Sequence, residues 1–149
     1  MNYSKNLQAV LGVLKNEVDG DVQSALSKLT EDYSMTWMYR KQSGELFPTT
    51  TNAIESELED VYHIKNREYD IRNVAESDNL VILELIESYS DPHTAQMYRT
   101  PMVLVLEMEH GKIKKGRHYC DPNISYAELP KDVIDLQALK GTETKILIT

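Results

Sequence analysis

The chain has one cysteine, one tryptophan and one phenylalanine in 149 residues, and no apolar run nears the about 20 residues a membrane-spanning helix needs. Cys120 stands alone, so no internal disulfide can form, which fits a reducing cytoplasm. Positive charge is scarce: 16 Lys and Arg face 24 Asp and Glu, and the net charge of -8 repels a phosphate backbone, arguing against nucleic acid as a partner. Lys112, Lys114, Lys115 and Arg117 do cluster, but they alternate along a predicted strand and read as its solvated face. The six glycines form neither GxGxxG nor a phosphate loop, and no GxSxG surrounds a serine. His63, His93, His110 and His118 are scattered, with no HExxH or paired-cysteine spacing. Neither a metal nor a cofactor is therefore expected. The N-terminal MNYSKNLQAVLGVL lacks a basic leader followed by a long apolar core, so a cytoplasmic location and no membrane association are expected.

Apolar residues make up 41% of the chain and charged residues 27%, as in an ordinary globular protein, and nothing reads as a linker or repeat, so residues 1–149 are read as a single domain. Tyr3, Leu7, Val10, Leu11, Leu14 and Val18 recur at steps of three and four and predict an amphipathic helix. Asp19-Gly20-Asp21 breaks it, and Asp21 is placed to cap a second short helix carrying Val22, Ala25, Leu26 and Leu29. Tyr33 to Tyr39 reads as a strand, QSGELFPTTT as loop, and Ala53, Ile54, Leu58, Val61 and Tyr62 as a third helix capped near 50–52. Strands follow. Tyr69 and Ile71 alternate with Glu68, Asp70 and Arg72 as in a half-exposed strand. Asn79 to Ser90 and Met102 to Glu109 are apolar on both faces and should be central. His110-Gly111 turns into Lys112 to Cys120, and Val133, Ile134, Leu136 and Leu139 suggest a last short helix. Helices first, then antiparallel strands, is the order of an α+β domain, here with about five strands. Strands apolar on both sides leave a convex face that a second copy would cover, so a homodimer is expected.

The order helix, helix, strand, helix, four strands resembles the nuclear transport factor 2-like superfamily, which includes ketosteroid isomerases, SnoaL-like polyketide cyclases and limonene-1,2-epoxide hydrolases. GDVQSALSKLTEDY and GKIKKGRHYCDP carry the likeness, with a weaker match at Asn52-Ala53-Ile54-Glu55. The resemblance implies a cone-shaped, mostly antiparallel curved sheet, with three helices on its concave side and a pocket for a small apolar ligand. It departs at the chemistry. Where those epoxide hydrolases use an Asp-Arg-Asp set, the matching positions hold Glu87, Leu85 and His118, and their water-holding tyrosine and asparagine match Met35 and Trp37. These departures argue against that particular hydrolysis.

The resemblance places His118 and Glu87 inside the cone as the candidate catalytic pair, with Trp37, Leu85, Tyr89, Tyr98 and Cys120 as pocket lining. Burial there should lower the His118 pKa and raise that of Glu87, while their mutual attraction opposes both shifts. Such a pair could take a proton next to a carbonyl or activate a water, as a cofactor-free isomerase, cyclase or hydrolase would, with Tyr89, Tyr98 or Trp37 donating to the oxyanion. The same pair could equally satisfy two polar groups in the core of a non-catalytic binding or dimerisation module.

Overall fold

In a computed structural model the described residues are 2–51, 63–125 and 129–149. The apolar stripe at the N-terminus forms α1, Lys5–Asp19. Ser4 caps it by accepting from the Leu7 N–H at 3.0 Å, and Gly20 ends it at a φ of 72°, a left-handed conformation that costs glycine little. Asp21 accepts from Ser24 N–H at 3.0 Å and starts α2, Val22–Leu26. The third helix read from the sequence falls on residues 53–62, which lie outside the described residues.

Seven strands make one sheet among the described residues: β1 Leu29–Trp37, β2 Thr49–Thr51, β3 Glu68–Ser77, β4 Leu80–Ser90, β5 Met97–Glu109, β6 Lys112–Tyr119 and β7 Ile146–Ile148. Their order is β2-β1-β6-β5-β4-β3-β7. All neighbours are antiparallel except β1 and β6, which run parallel. β3 to β6 form a meander. Its last turn holds His110 and Gly111 at φ of 49° and 76°, as the twist of a two-residue hairpin requires. Register shifts between Leu29 and Ser34, Ile71 and Asn73, and Glu107 and Met108 bend the strands and curve the sheet.

Two more strands are present than the sequence suggested. Thr49–Thr51, read as loop and helix cap, pairs with Thr36, Met35 and Ser34, and Ile146–Ile148 pairs with Ile71, Asp70 and Tyr69. Both are three residues long, too short for alternation to register.

The core lies between α1 and the concave face, where Leu7, Val10, Val13 and Leu14 meet Ile71, Leu83, Leu104 and Leu106. The half-exposed reading of β3 needs correcting, because Asp70 and Arg72 are 3% and 5% exposed. Arg72 Nη2 donates to Asp70 at 2.7 Å and to Asp135 at 2.8 Å. Asp135 sits in the π-helical turn Ile134–Ala138 that follows a short helix, Lys131–Val133, so a charged triad pins the C-terminal segment onto the sheet. Asp70 and Arg72 are tolerated in the interior because they neutralise one another, while the second carboxylate, Asp135, stands nearer solvent.

Candidate active site

A cavity of about 390 Å³ opens between α1 and the concave face of the sheet. Its apolar wall includes Val13, Leu14, Met35, Met102, Leu104 and Leu106. Gly116 shapes one side: a Cβ there would lie 2.5 Å from Met35 Cε and 2.7 Å from its Sδ, so the bare backbone lets the Met35 side chain lie flat against β6.

Polar groups gather at one end. Tyr69, Glu87 and Thr100 stand in register across β3, β4 and β5 and share the inner face. Arg67, two residues before Tyr69, points the same way and forms an ion pair with Glu87. Arg67 Nη1 also donates to the Tyr69 hydroxyl at 3.2 Å, and its guanidinium lies 5.5 Å from the centre of the Tyr89 ring. The Tyr69 hydroxyl in turn donates to Glu17, at the last turn of α1. Glu17, Tyr69, Arg67 and Glu87 thus form one chain of hydrogen bonds, in which a single cation stands between two carboxyls.

Burial sets their charge states. Desolvation pushes Glu17 up to about 7, against the attraction of Arg67 and the Tyr69 hydrogen bond, while repulsion from Glu87 adds to the rise. Protein surrounds the Glu17 carboxyl, yet the residue stays half-buried because the cavity reaches it. Glu87 is raised by the same desolvation, and Arg67 opposes it. Burial also disfavours the Arg67 charge, but Tyr69, Glu87 and Glu17 more than offset this and hold it cationic. Tyr33 lines the cavity too. Burial first, and then the Glu17 charge, hold its hydroxyl above the usual tyrosine range, and that hydroxyl has no hydrogen-bond partner among the described residues.

His118 occupies another wall, on β6 opposite Trp37 of β1, with ring centroids 5.9 Å apart and planes tilted by 37°. Desolvation lowers it to about 4, with a smaller opposing effect of its own backbone carbonyl, so the imidazole is neutral at pH 7. Its Nδ1 is buried and meets no partner at hydrogen-bond geometry.

His118 and Glu87 therefore share the cavity, but no hydrogen bond joins them. Glu87 stands opposite Thr100 and His118 opposite Leu104, and four residues along β5 are about 13 Å of strand. The resemblance gave the face and not the register. Both pKa shifts run in the expected directions, with Arg67 in the place expected for His118 as the partner of Glu87. Trp37, Tyr89 and Cys120 line the cavity. Leu85 is wholly buried in the core and absent from the lining; half-buried Tyr98 is also absent from it, and its ring lies 5.6 Å from that of Tyr89 at a tilt of 51°.

Glu17, Tyr33, Arg67 and Tyr69 were not singled out from the sequence. A signal existed for two of them. Glu17 falls three residues after Leu14 and four after Val13, which puts a carboxylate on the apolar stripe of α1. Arg67 precedes Tyr69 and Ile71 at the strand period, which aims it inward. Among the described residues no three His, Cys, Asp or Glu side chains converge to hold a metal ion.

No family model matches the chain, and no curated protein matches it. Solved structures do. A candidate isomerase from Bacillus subtilis superimposes with a TM-score of 0.70 at 18% identity, covering 87% of this chain and 98% of that one. An epoxide hydrolase of M. tuberculosis described as LEH-like gives 0.66 at 16%, covering 91% and 97%. An NTF2-like protein of unknown function from Cytophaga hutchinsonii gives 0.60 at 15%, covering 83% and 95%. At these identities the likeness is one of fold.

Proposed function

We propose that this chain, whose fold is that of the nuclear transport factor 2-like proteins, is an enzyme that moves a proton on a small, largely apolar molecule using its own side chains. The observation that carries this reading is the Glu17–Tyr69–Arg67–Glu87 chain at the end of an apolar cavity. A carboxyl that titrates near neutrality suits proton abstraction next to a carbonyl, because it is both partly ionised and a competent base. The Arg67 charge and the Tyr33 hydroxyl face the oxygen on which negative charge would develop. Glu87 keeps Arg67 in place. His118, uncharged, serves ligand positioning at the opposite wall. Isomerisation and aldol-type cyclisation begin with such a proton transfer, whereas in hydrolysis the same base would take its proton from the attacking water; neighbours of this fold include a candidate isomerase and an epoxide hydrolase.

Screening ketones, lactones and epoxides for turnover between pH 5 and 9 tests the reading. The rate with any accepted substrate should rise through an apparent pKa near 7 as Glu17 ionises. A profile flat through neutrality, or no turnover of any class, would assign the cavity to ligand binding alone.

A second copy is proposed to cover the convex face. The C-terminal segment covers part of it, and Tyr119 remains 42% and Leu136 65% exposed. Light scattering at micromolar concentration should give twice the monomer mass, and a clean monomer would remove the idea.

A further inference from the structure

The cavity has two hydrogen-bonding ends that the described residues leave open, and an apolar floor between them. At one end the Tyr33 hydroxyl lines the cavity and has no hydrogen-bond partner among the described residues. At the other, His118 has Nδ1 sealed and unpaired, which leaves Nε2 as the ring's outlet toward the cavity. Tyr33 and Trp37 lie on the same face of β1, four residues apart, and His118 pairs with Trp37. The two ends are therefore separated by about 13 Å of strand. Met35, Leu104 and Leu106 form the floor between them, kept low by Gly116. Arg67 is the one Lys or Arg among the described lining residues, and it is ion-paired with Glu87.

We infer that the cavity takes a flat, uncharged, two-ended molecule lying along β1, with a carbonyl oxygen accepting from the Tyr33 hydroxyl and a hydroxyl group bonded to His118 Nε2. This deepens the enzymatic reading, since it sets the carbonyl beside Glu17, but it stands on binding and needs no turnover. Each end contributes the gain of closing a hydrogen bond in a site shielded from water, and each group is left unsatisfied if the ligand lacks its counterpart. An ionised ligand would lose its hydration and find no uncommitted positive charge in return.

Calorimetric titration with four naphthalenes decides it. The probes are 6-acetyl-2-naphthol, 2-acetylnaphthalene without the hydroxyl, 2-naphthol without the carbonyl, and 6-hydroxy-2-naphthoate, which is anionic. The hydroxy-ketone should bind about 3- to 10-fold more tightly than either one-ended compound, the range of one neutral hydrogen bond. The naphthoate should bind more weakly than the hydroxy-ketone. In Tyr33→Phe the hydroxy-ketone should lose its advantage over 2-naphthol and keep it over 2-acetylnaphthalene, and His118→Phe should show the reverse. Equal affinities in the parent, advantages that survive the variants, or a naphthoate that binds as tightly as the hydroxy-ketone each overturn the inference. So does failure of all four to bind. If a variant does not fold, the ranking in the parent still decides. A correct ranking without any turnover sinks only the enzymatic reading. A pH–rate response near 7 without the ranking sinks only this one.

Discussion

Replacing Arg67 with methionine is expected to lower turnover by about 10²–10³-fold, the usual effect of removing one preorganised charge-stabilising donor, and to destabilise the fold as well. Arg67 is 6% exposed and holds Glu87 in an ion pair while donating to Tyr69. Methionine fills much of the same volume but leaves Glu87 and Glu17 with no cation between them. Breaking a buried pair from one side typically costs about 3–5 kcal/mol, because the remaining charge must be neutralised or hydrated. Glu17 would lose the attraction that now holds it down, so its titration should move above 7. Arg67→Lys should restore part of the stability and less of the rate, since an ammonium supplies charge without the planar fork that reaches two partners. Urea denaturation and a pH–rate profile read the two effects separately. A methionine variant with parental turnover and a titration still centred near 7 would show that Arg67 takes no part in the site.

Stability should respond to pH in opposite directions at the two walls of the cavity. Glu17 is raised from 4.5 to about 7, so between these values the folded chain keeps a proton that the unfolded chain releases. Its contribution is greatest below 4.5 and is lost as pH rises to 7, a difference of a few kcal/mol at most. His118 is lowered from 6.5 to about 4, so the unfolded chain takes up a proton that the folded chain refuses. Its contribution is full above 6.5 and is lost as pH falls toward 4. Over the shared interval the two slopes oppose each other, and the parent should change little. Removing either partner exposes the other. Glu17→Gln should lose stability toward acid, below pH 6.5, and none between pH 6.5 and 7.5, whereas His118→Phe should lose it as pH rises from 4.5 to about 7. Denaturation midpoints at pH 4.5, 5.5, 6.5 and 7.5 measure this. Parallel curves for parent and both variants would mean that neither burial shift operates in the folded protein.

The fold was legible because its strong periodic signals agree with one another. The stripe through Leu7, Val10 and Leu14, the Asp21 cap and the turn at His110-Gly111 are local features that the tertiary structure uses without alteration. The candidate site was legible in part. The family resemblance, not alternation, put Glu87 and His118 on inward faces, but register is a relation between strands, and a four-residue offset leaves no mark on either one alone. Glu17, Arg67 and Tyr69 come from a helix end and the start of a strand, and they meet only once the sheet has curved under α1. Asp70 and Arg72 were misread as solvent-facing because charge usually marks exposure, and the C-terminal segment that covers them, with Asp135 as a second partner of Arg72, is distant in sequence.

The one parallel pairing in the sheet also bears on the order of assembly. β3 to β6 are joined in sequence as hairpins, and each closes a short loop. β1 reaches β6 only by bringing together segments from opposite ends of the chain, so it carries a larger loop-closure cost and joins a scaffold that can form without it. The cavity is therefore complete only when β1 has docked on β6, because Tyr33, Met35 and Trp37 supply one of its walls and the meander supplies the facing one.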